Sequence, residues 1–409
     1  MRPTHSLAPK APNMQMSHTK PIATFVRIEK YTNYGVSEAR SCHRKNLSIE
    51  NLQYVGSYSW SDHSEPTIIV PGSPLEWCNV RFPITVEKAH GPVFVNQDAY
   101  RVPASHYSHY SAPQMPSRTT IRSMRSTGPV WTSSRAPTLC ARCCGGSSIT
   151  AVTSGSTRNS QARTTVLLDS WAPRTTEDAS LSESYVRGFK RKSATLPEGL
   201  KGTTEHQRIV QFKFGGLNMV ERFGVDACTP PRKRDALPPI PIADEDKSAP
   251  SPAPDAILGA WLQPAQPGSS TDVAVVRGGV PAAQGTLVQL EIGLRNSPTG
   301  TNWSDAYPSL FLSHTPLHFV AVHNGSGTFS GVIKHRLNSH TLKRVKARQQ
   351  TGFKRLRHAL QGIQELAVAR GREGRLSLVC EDGRMQVYER TSVDGCVPKD
   401  ILARFYRKA

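Results

Sequence analysis

Two acidic residues stand where strand geometry could turn them to chemistry. Asp226 falls near the end of an alternating run, Leu217 to Ala227, and Glu291 lies inside a second one, Thr286–Leu294. Strand side chains alternate between faces, so positions 224 and 226 share one side, as do 291 and 293. If the two strands are neighbours, both carboxylates can hold a divalent cation, Mg²⁺ or Mn²⁺, that activates water against a phosphodiester. A solvated or salt-bridged pair on the protein surface satisfies the same spacing. Cys140, Cys143 and Cys144 with His106 and His109 offer donors for a zinc site, although no second cysteine pair follows them. Phosphate-cradling glycine loops, the G-x-S-x-G elbow and H-E-x-x-H are all absent from the chain. So are the D-D-x-x-D segments an isoprenyl synthase needs to hold Mg²⁺ against a diphosphate; Asp244-Glu245-Asp246 sits among prolines.

A second kind of chemistry is electrostatic. Ser339 to Arg370 reads as a helix with Phe353, Leu356, Leu360, Ile363 and Ala367 along one stripe. Its remaining surface carries Lys343, Arg344, Lys346, Arg348, Lys354, Arg355, Arg357 and Arg370 against the single acid Glu365. Such a face neutralises phosphates with little sequence preference, or it is simply a solvated helix surface. The whole chain is +20, a balance that favours RNA or another nucleic acid as partner. Trp60, Trp77 and Trp303 offer stacking surfaces for bases, or large core side chains.

The elements that must position these groups are unevenly spread. Only 37% of the 409 residues are apolar, and 31 prolines and 30 glycines interrupt them, so one core with long disordered segments is expected. Residues 1–47 are basic and aperiodic and read as disordered; their basic, acid-free first 27 residues resemble an organelle transit segment only weakly. Residues 48–104 supply the first part of the core, with Thr67–Val70 and Val93–Val95 as strands. From Ala99 to Leu168 there are eight arginines, no lysine and no acid, and neither helical nor strand periodicity. Residues 105–163 therefore read as a disordered basic arm or as a gene-model artefact, loosely packed in either case. Core strands resume over 164–228, with a hairpin at 208–227 turning on Gly215-Gly216. Residues 229–284 hold 11 of the prolines and read as a linker. The rest, 285–409, reads as strands at Thr286–Leu294, Ser309–Leu312 and His318–Val322, the basic helix, and a hairpin around Asp382-Gly383. A short helix is expected over Pro398–Lys408. The predicted class is α/β (α+β), a mixed β-sheet with flanking helices. No apolar run is long enough for a membrane span, and eight scattered cysteines argue for free thiols, so an intracellular chain, cytoplasmic or nuclear, is expected.

Several segments carry a resemblance. YVGSYSWSDHSEPTIIVPGSPLEW (54–77), HQRIVQFKFGGLNMVERFGVDAC (206–228), LEIGLR (290–295) and SLFLSHTPLHFVAVHNGSGTF (309–329) resemble a fungal family often catalogued as geranylgeranyl pyrophosphate synthetase-like. That family is distantly similar to decapping 5′-3′ exonucleases, whose PD-(D/E)XK-type core carries G-x-x-F-E, E-x-D and E-x-K elements. RGFKRK at 187–192, FGVD at 223–226 and LEIG at 290–293 occupy those places in order. The resemblance implies a nuclease-like core with Asp226 and Glu291 as the surviving catalytic and metal-binding residues. It also implies that Lys190, Gly224 and Gly293 stand where glutamate, glutamate and lysine belong. A register shifted by two would instead put Gln289 and Glu291 at the third element. A lysine in place of a metal-binding acid repels the ion, and losing the E-x-K lysine removes a pre-organised cation. The implied function is a nuclease-like protein of absent or reduced activity that binds RNA through its basic surface. The alternatives are a residual metal-dependent RNA 5′-end nuclease of decapping type, and a protein-interaction scaffold that does not touch nucleic acid.

Overall fold

The structure, a computed structural model, describes residues 25–27, 46–88, 93–94, 101, 130–132, 147–155, 164–171, 176–177, 181–230, 273–294, 301–370, 375–381 and 384–390. In chain order the described strands before Leu181 are β1 (Phe25–Arg27), β2 (Ile49–Ser61), β3 (Thr67–Pro71), β4 (Glu76–Trp77), β5 (Ile84–Thr85), β6 (Val93–Phe94), β7 (Val130–Thr132), β8 (Ser147–Gly155), β9 (Thr164–Trp171) and β10 (Thr176–Glu177). Helix α1 (Leu181–Ser193) follows, then β11 (Ala194–Thr195), β12 (Thr203–Phe214), β13 (Leu217–Val225), β14 (Ala227–Cys228), β15 (Ala274–Gly278) and β16 (Leu287–Leu294). Helix α2 (Trp303–Leu312), β17 (Leu317–His323), β18 (Thr328–Arg336), helix α3 (Lys343–Arg370), β19 (Arg375–Glu381) and β20 (Arg384–Arg390) complete the described elements.

Two mixed sheets dominate. The larger has eleven strands in the order β1-β20-β19-β8-β9-β7-β13-β12-β2-β3-β15; the smaller has seven, β11-β4-β14-β16-β17-β18-β5, and β6 pairs with β10 apart from both. The hairpin expected over 208–227 is β12 and β13, in register from His206↔Val225 to Phe214↔Leu217. Gly215 and Gly216 sit at φ +54° and +86°, the positive values that a two-residue turn of this hand requires and that glycine adopts without a Cβ clash.

The amphipathic stripe of the basic helix is also in place. Phe353, Leu356, Leu360, Ile363 and Ala367 of α3 are buried in one cluster with Val210, Phe212, Phe214, Leu217, Met219 and Phe223 of the large sheet and Tyr307 and Leu312 of α2. A second cluster joins Tyr185 and Phe189 of α1 to Trp77, Val288, Leu290, Phe319 and Phe329 of the smaller sheet. Trp60 and Trp77 are buried, so the core reading holds for both, whereas Trp303 is half-buried.

One expectation is corrected, and segments expected to lack regular structure contribute some of the described strands. Ser309–Leu312 is the end of helix α2 rather than a strand. A four-residue apolar run cannot by itself distinguish the two, and the deciding signals lie upstream: Asn302 accepts from the Ser304 N–H at 3.1 Å as an N-cap, and Asp305 follows in the first turn. Pro308 inside α2 cannot donate to the carbonyl of Ser304, and the Gln349 side chain of α3 donates to that oxygen at 3.4 Å instead. The stretch 105–163 is described only at Val130–Thr132 and Ser147–Gly155. It contributes β7 and β8 to the interior of the large sheet, β8 pairing with both β9 and β19. Composition hid this, because the β-branched residues Ile149, Thr150, Val152 and Thr153 are embedded in a serine- and arginine-rich background. Finally, β1 lies within the N-terminal segment expected to be disordered and pairs with β20, and β15 lies within the expected linker and pairs with β3. The expected helix over Pro398–Lys408, the Asp382-Gly383 turn, the cysteine and histidine group of 106–144 and residues 244–246 lie outside the described residues.

Candidate functional site

The chain changes sheets at Asp226. Val225 ends β13 in the large sheet and is buried in the α2/α3 core; Ala227 begins β14 in the smaller sheet and is buried in the α1 core. Asp226 is therefore not inside a strand, as its alternation implied, but at the joint between two. Its carboxylate fills that joint: Oδ1 lies 2.5 Å from Lys190 Nζ, and Oδ2 accepts from the Leu290 N–H at 2.8 Å. Lys190 reaches it because Phe189, the preceding residue of α1, is anchored against Phe329 with ring centroids 4.6 Å apart. The pair is about a quarter exposed on each side. Lys190 occupies the last turn of α1 with Arg191 and Lys192, where the helix dipole favours cations.

Glu291 comes from the neighbouring strand. β14 pairs with β16 through Ala227↔Val288, and Leu290, whose N–H holds Asp226, immediately precedes Glu291. The strand that follows Asp226 thus pairs with the strand that carries Glu291, but the two carboxylates have different partners. Glu291 Oε2 lies 2.8 Å from Nε2 of His318 on β17; the histidine side chain is buried, at 3% exposure, while that of Glu291 is 42% exposed. His318 stands opposite His335 in the β17–β18 ladder, and Trp303 meets both imidazoles edge-on at 5.5 and 5.0 Å. Burial, and then the neighbouring His318, hold the His335 imidazole below its ordinary pKa, with Glu291 opposing them. Neither histidine was singled out by spacing, because only the ladder register brings 318 to 335.

Gly224, where the resemblance implies a glutamate, has another carboxylate beside it. A Cβ at 224 would lie 3.3 Å from Glu205 Oε1 and 3.7 Å from Gln207 Nε2, both from β12. Gly293, where it implies a lysine, would bring a Cβ within 3.1 Å of Val320 Cγ1.

The cations of α3 divide into two groups. Lys343, Arg344, Lys346, Arg348 and Arg355 are exposed, and Lys354 is half-buried. Arg357 is held by the fold: its Nε donates to the Gly215 carbonyl at 2.9 Å, tying α3 to the β12–β13 turn, and its Nη1 donates to Gln361.

The chain matches a domain of unknown function, DUF8563, over residues 38–112 and 172–406. It belongs to that family. Residues 113–171, which contain β7, β8 and all of β9, fall in the gap of the match. No curated protein matches the chain in sequence. Among solved structures, Candida albicans Rai1 in complex with pU5-Mn²⁺ is similar at TM-score 0.52 and 8% identity, covering 94% of this chain and 99% of that one. S. pombe Rai1 in complex with 3′-FADP is similar at TM-score 0.50 and 10% identity, covering 91% and 100%. Scheffersomyces stipitis Rai1 in complex with (3′-NADP)⁺ and calcium ion is similar at TM-score 0.50 and 7% identity, covering 90% and 99%. At these identities the likeness is one of fold: the chain has the mixed α+β, nuclease-like fold of Rai1.

The residues present do not fit a divalent ion of the kind two of those neighbours contain. Both oxygens of Asp226 are already engaged, one of them by a cation, and Glu291 is engaged by His318. Among the described residues no group of three or more His, Cys, Asp or Glu side chains could hold a metal ion. An ammonium in contact with the carboxylate repels a second cation at close range.

Proposed function

We propose that this chain is a nuclease-fold protein of absent or strongly reduced catalytic power that binds RNA or other nucleic acid through the exposed face of α3. The observation that carries the reading is the placement of Lys343, Arg344, Lys346, Arg348 and Arg355 in solvent, on a helix whose opposite stripe is locked into the core. These cations do no packing work that the structure shows, and they form an extended positive surface for a phosphate backbone. The reduced activity follows from Asp226: its carboxylate is saturated by Lys190 and Leu290, so no step is routed through a metal there.

Retention of single-stranded RNA on filters tests the reading. Five phosphate contacts give a logarithmic salt slope of roughly −3.5, so raising salt from about 50 to about 200 mM weakens binding on the order of a hundredfold. Retention indifferent to salt removes the nucleic-acid claim and leaves a protein-interaction scaffold. The pairing of β14, which directly follows Asp226, with β16, which carries Glu291, favours one further reading, a residual metal-dependent RNA 5′-end nuclease. Incubating the same RNA, carrying a 5′-triphosphate, with Mn²⁺ or Mg²⁺ beside an Asp226→Ala control decides it. The expected result is no product from either protein, and product from the wild type alone establishes the nuclease.

A further inference from the structure

The smaller sheet ends on an edge that β5 covers only at one end. β5 pairs with β18 through Thr85↔Thr328 and Ile84↔Phe329, so among the described residues Ser330–Arg336 has β17 on one side and no strand on the other. Backbone groups that face away from β17 along this stretch have no ladder to join, and such an edge is a template for another chain. The Ser339 N–H donates to the Arg336 carbonyl at 2.9 Å, so the free edge closes there. Side chains along it are accessible: Ile333 is 51% exposed, Lys334 and Arg336 are exposed, and a Cβ at Gly331 would meet nothing within 4 Å. Strand alternation puts Lys334 and Arg336 on one face and Gly331, Ile333 and His335 on the other. Lys334 Nζ donates to Asn79 Oδ1 at 2.8 Å, and no carboxylate among the described residues pairs with either cation. From Ala306 to Gln364 the chain contains no acid at all.

We propose that the free edge of β18 docks an extended acidic peptide segment of a partner protein as an added strand. Acids at alternate positions of that segment stand opposite Lys334 and Arg336, and the apolar residue between them lies against Ile333. Main-chain hydrogen bonds supply the attachment and the two cations select the sequence. Cations on an edge discourage pairing with a like-charged strand, which is how natural sheets keep their edges from joining. A second copy of this chain is therefore a poor occupant, because it brings the same cations and a further charge of +20. The inference is independent of RNA binding by α3 and of the state of Asp226, so each fails separately.

Fluorescence anisotropy of the full chain with a short fluorescein-labelled peptide that alternates Glu and Val tests this. The wild type is expected to bind it saturably and about tenfold more tightly than a peptide alternating Lys and Val. Methylating the amide nitrogens of alternate residues gives two further Glu/Val peptides. The one whose N–H groups face β18 is expected to lose about tenfold and the other to bind as before, because only one set of amides enters the ladder. Lys334→Glu combined with Arg336→Glu is expected to invert the preference toward the Lys/Val peptide. Lys334→Gln with Arg336→Gln, expected to bind both peptides equally, replaces that variant should it fold poorly. Absence of saturable binding, equal losses from both methylated peptides, or a Glu/Val preference that survives the charge changes each overturns the proposal. Sedimentation of the wild type as a dimer that the Glu/Val peptide cannot dissociate also overturns it, by giving the edge to a second copy.

Discussion

Replacing Glu221 by glutamine is expected to stabilise the protein strongly at pH 8 and scarcely at all at pH 4.5. Glu221 is 1% exposed, lies between Met219 and Phe223 on the core-facing side of β13, and stands opposite Val210 of β12. Its Oε1 has no hydrogen-bond partner. Burial pushes the carboxyl up from 4.5 to about 8. The folded chain therefore keeps a proton that the unfolded chain has released. The stability contributed by the neutral acid is complete below pH 4.5 and is lost as pH rises toward 8, by about 1.4 kcal/mol per unit. Glutamine has nearly the same shape and no proton to lose, so its advantage grows over that window to several kcal/mol. Its amide is also an unsatisfied polar group in an apolar setting, and that cost is the same at every pH. Urea unfolding of both proteins at the two pH values is the measurement. A difference between them that stays constant with pH contradicts the assignment of Glu221 as a buried neutral acid.

Phe353→Ala is expected to cost about 3–5 kcal/mol, a large part of the roughly 5–15 kcal/mol that holds a domain folded. Phe353 is fully buried and is the contact through which three elements meet. Its ring stacks on Phe311 of α2 at 4.4 Å, meets Phe214 of β12 edge-on at 6.3 Å, and lies 6.4 Å from Tyr307. Truncation leaves a cavity that α2 and α3 cannot close together, because Arg357 ties α3 to the β12–β13 turn one helical turn further on. Phe353→Leu fills most of that volume and is expected to lose much less. Denaturant midpoints for the two variants check the ranking, and a loss under about 1 kcal/mol for the alanine variant would mean that α3 is not seated where the structure puts it.

The sequence was readable wherever local pattern and tertiary environment agreed. The β12–β13 hairpin announces itself because two glycines fall between alternating runs, and α3 because its five apolar residues keep helical spacing through a dense field of cations. Lys190, Asp226 and Glu291 were linked only through the resemblance of three short segments to a nuclease core; Lys190 does meet Asp226, and β14, which follows Asp226, pairs with the strand of Glu291. What stayed illegible depends on register between distant segments. Glu205 lies beside Gly224, and His318 opposite His335, only because particular residues stand across from one another in a ladder, and no spacing along the chain encodes that. The helical state of Ser309–Leu312 depends on a cap seven residues earlier, at Asn302, and on the Gln349 contact that accommodates Pro308. Strand β8 was masked by the opposite problem, a β-branched core set in a composition typical of disorder.

The central claim is that the fold serves to display the α3 cations to a phosphate backbone. The direct measurement is the salt slope of RNA retention for wild type beside a variant carrying Lys343→Gln, Arg344→Gln, Lys346→Gln, Arg348→Gln and Arg355→Gln. All five positions are exposed, so the fold should be unaffected, and the variant's circular dichroism and melting should match the wild type. The account predicts a slope that falls from roughly −3.5 toward zero, with affinity at about 50 mM salt reduced at least a hundredfold. A variant that retains RNA with the wild-type slope would contradict it.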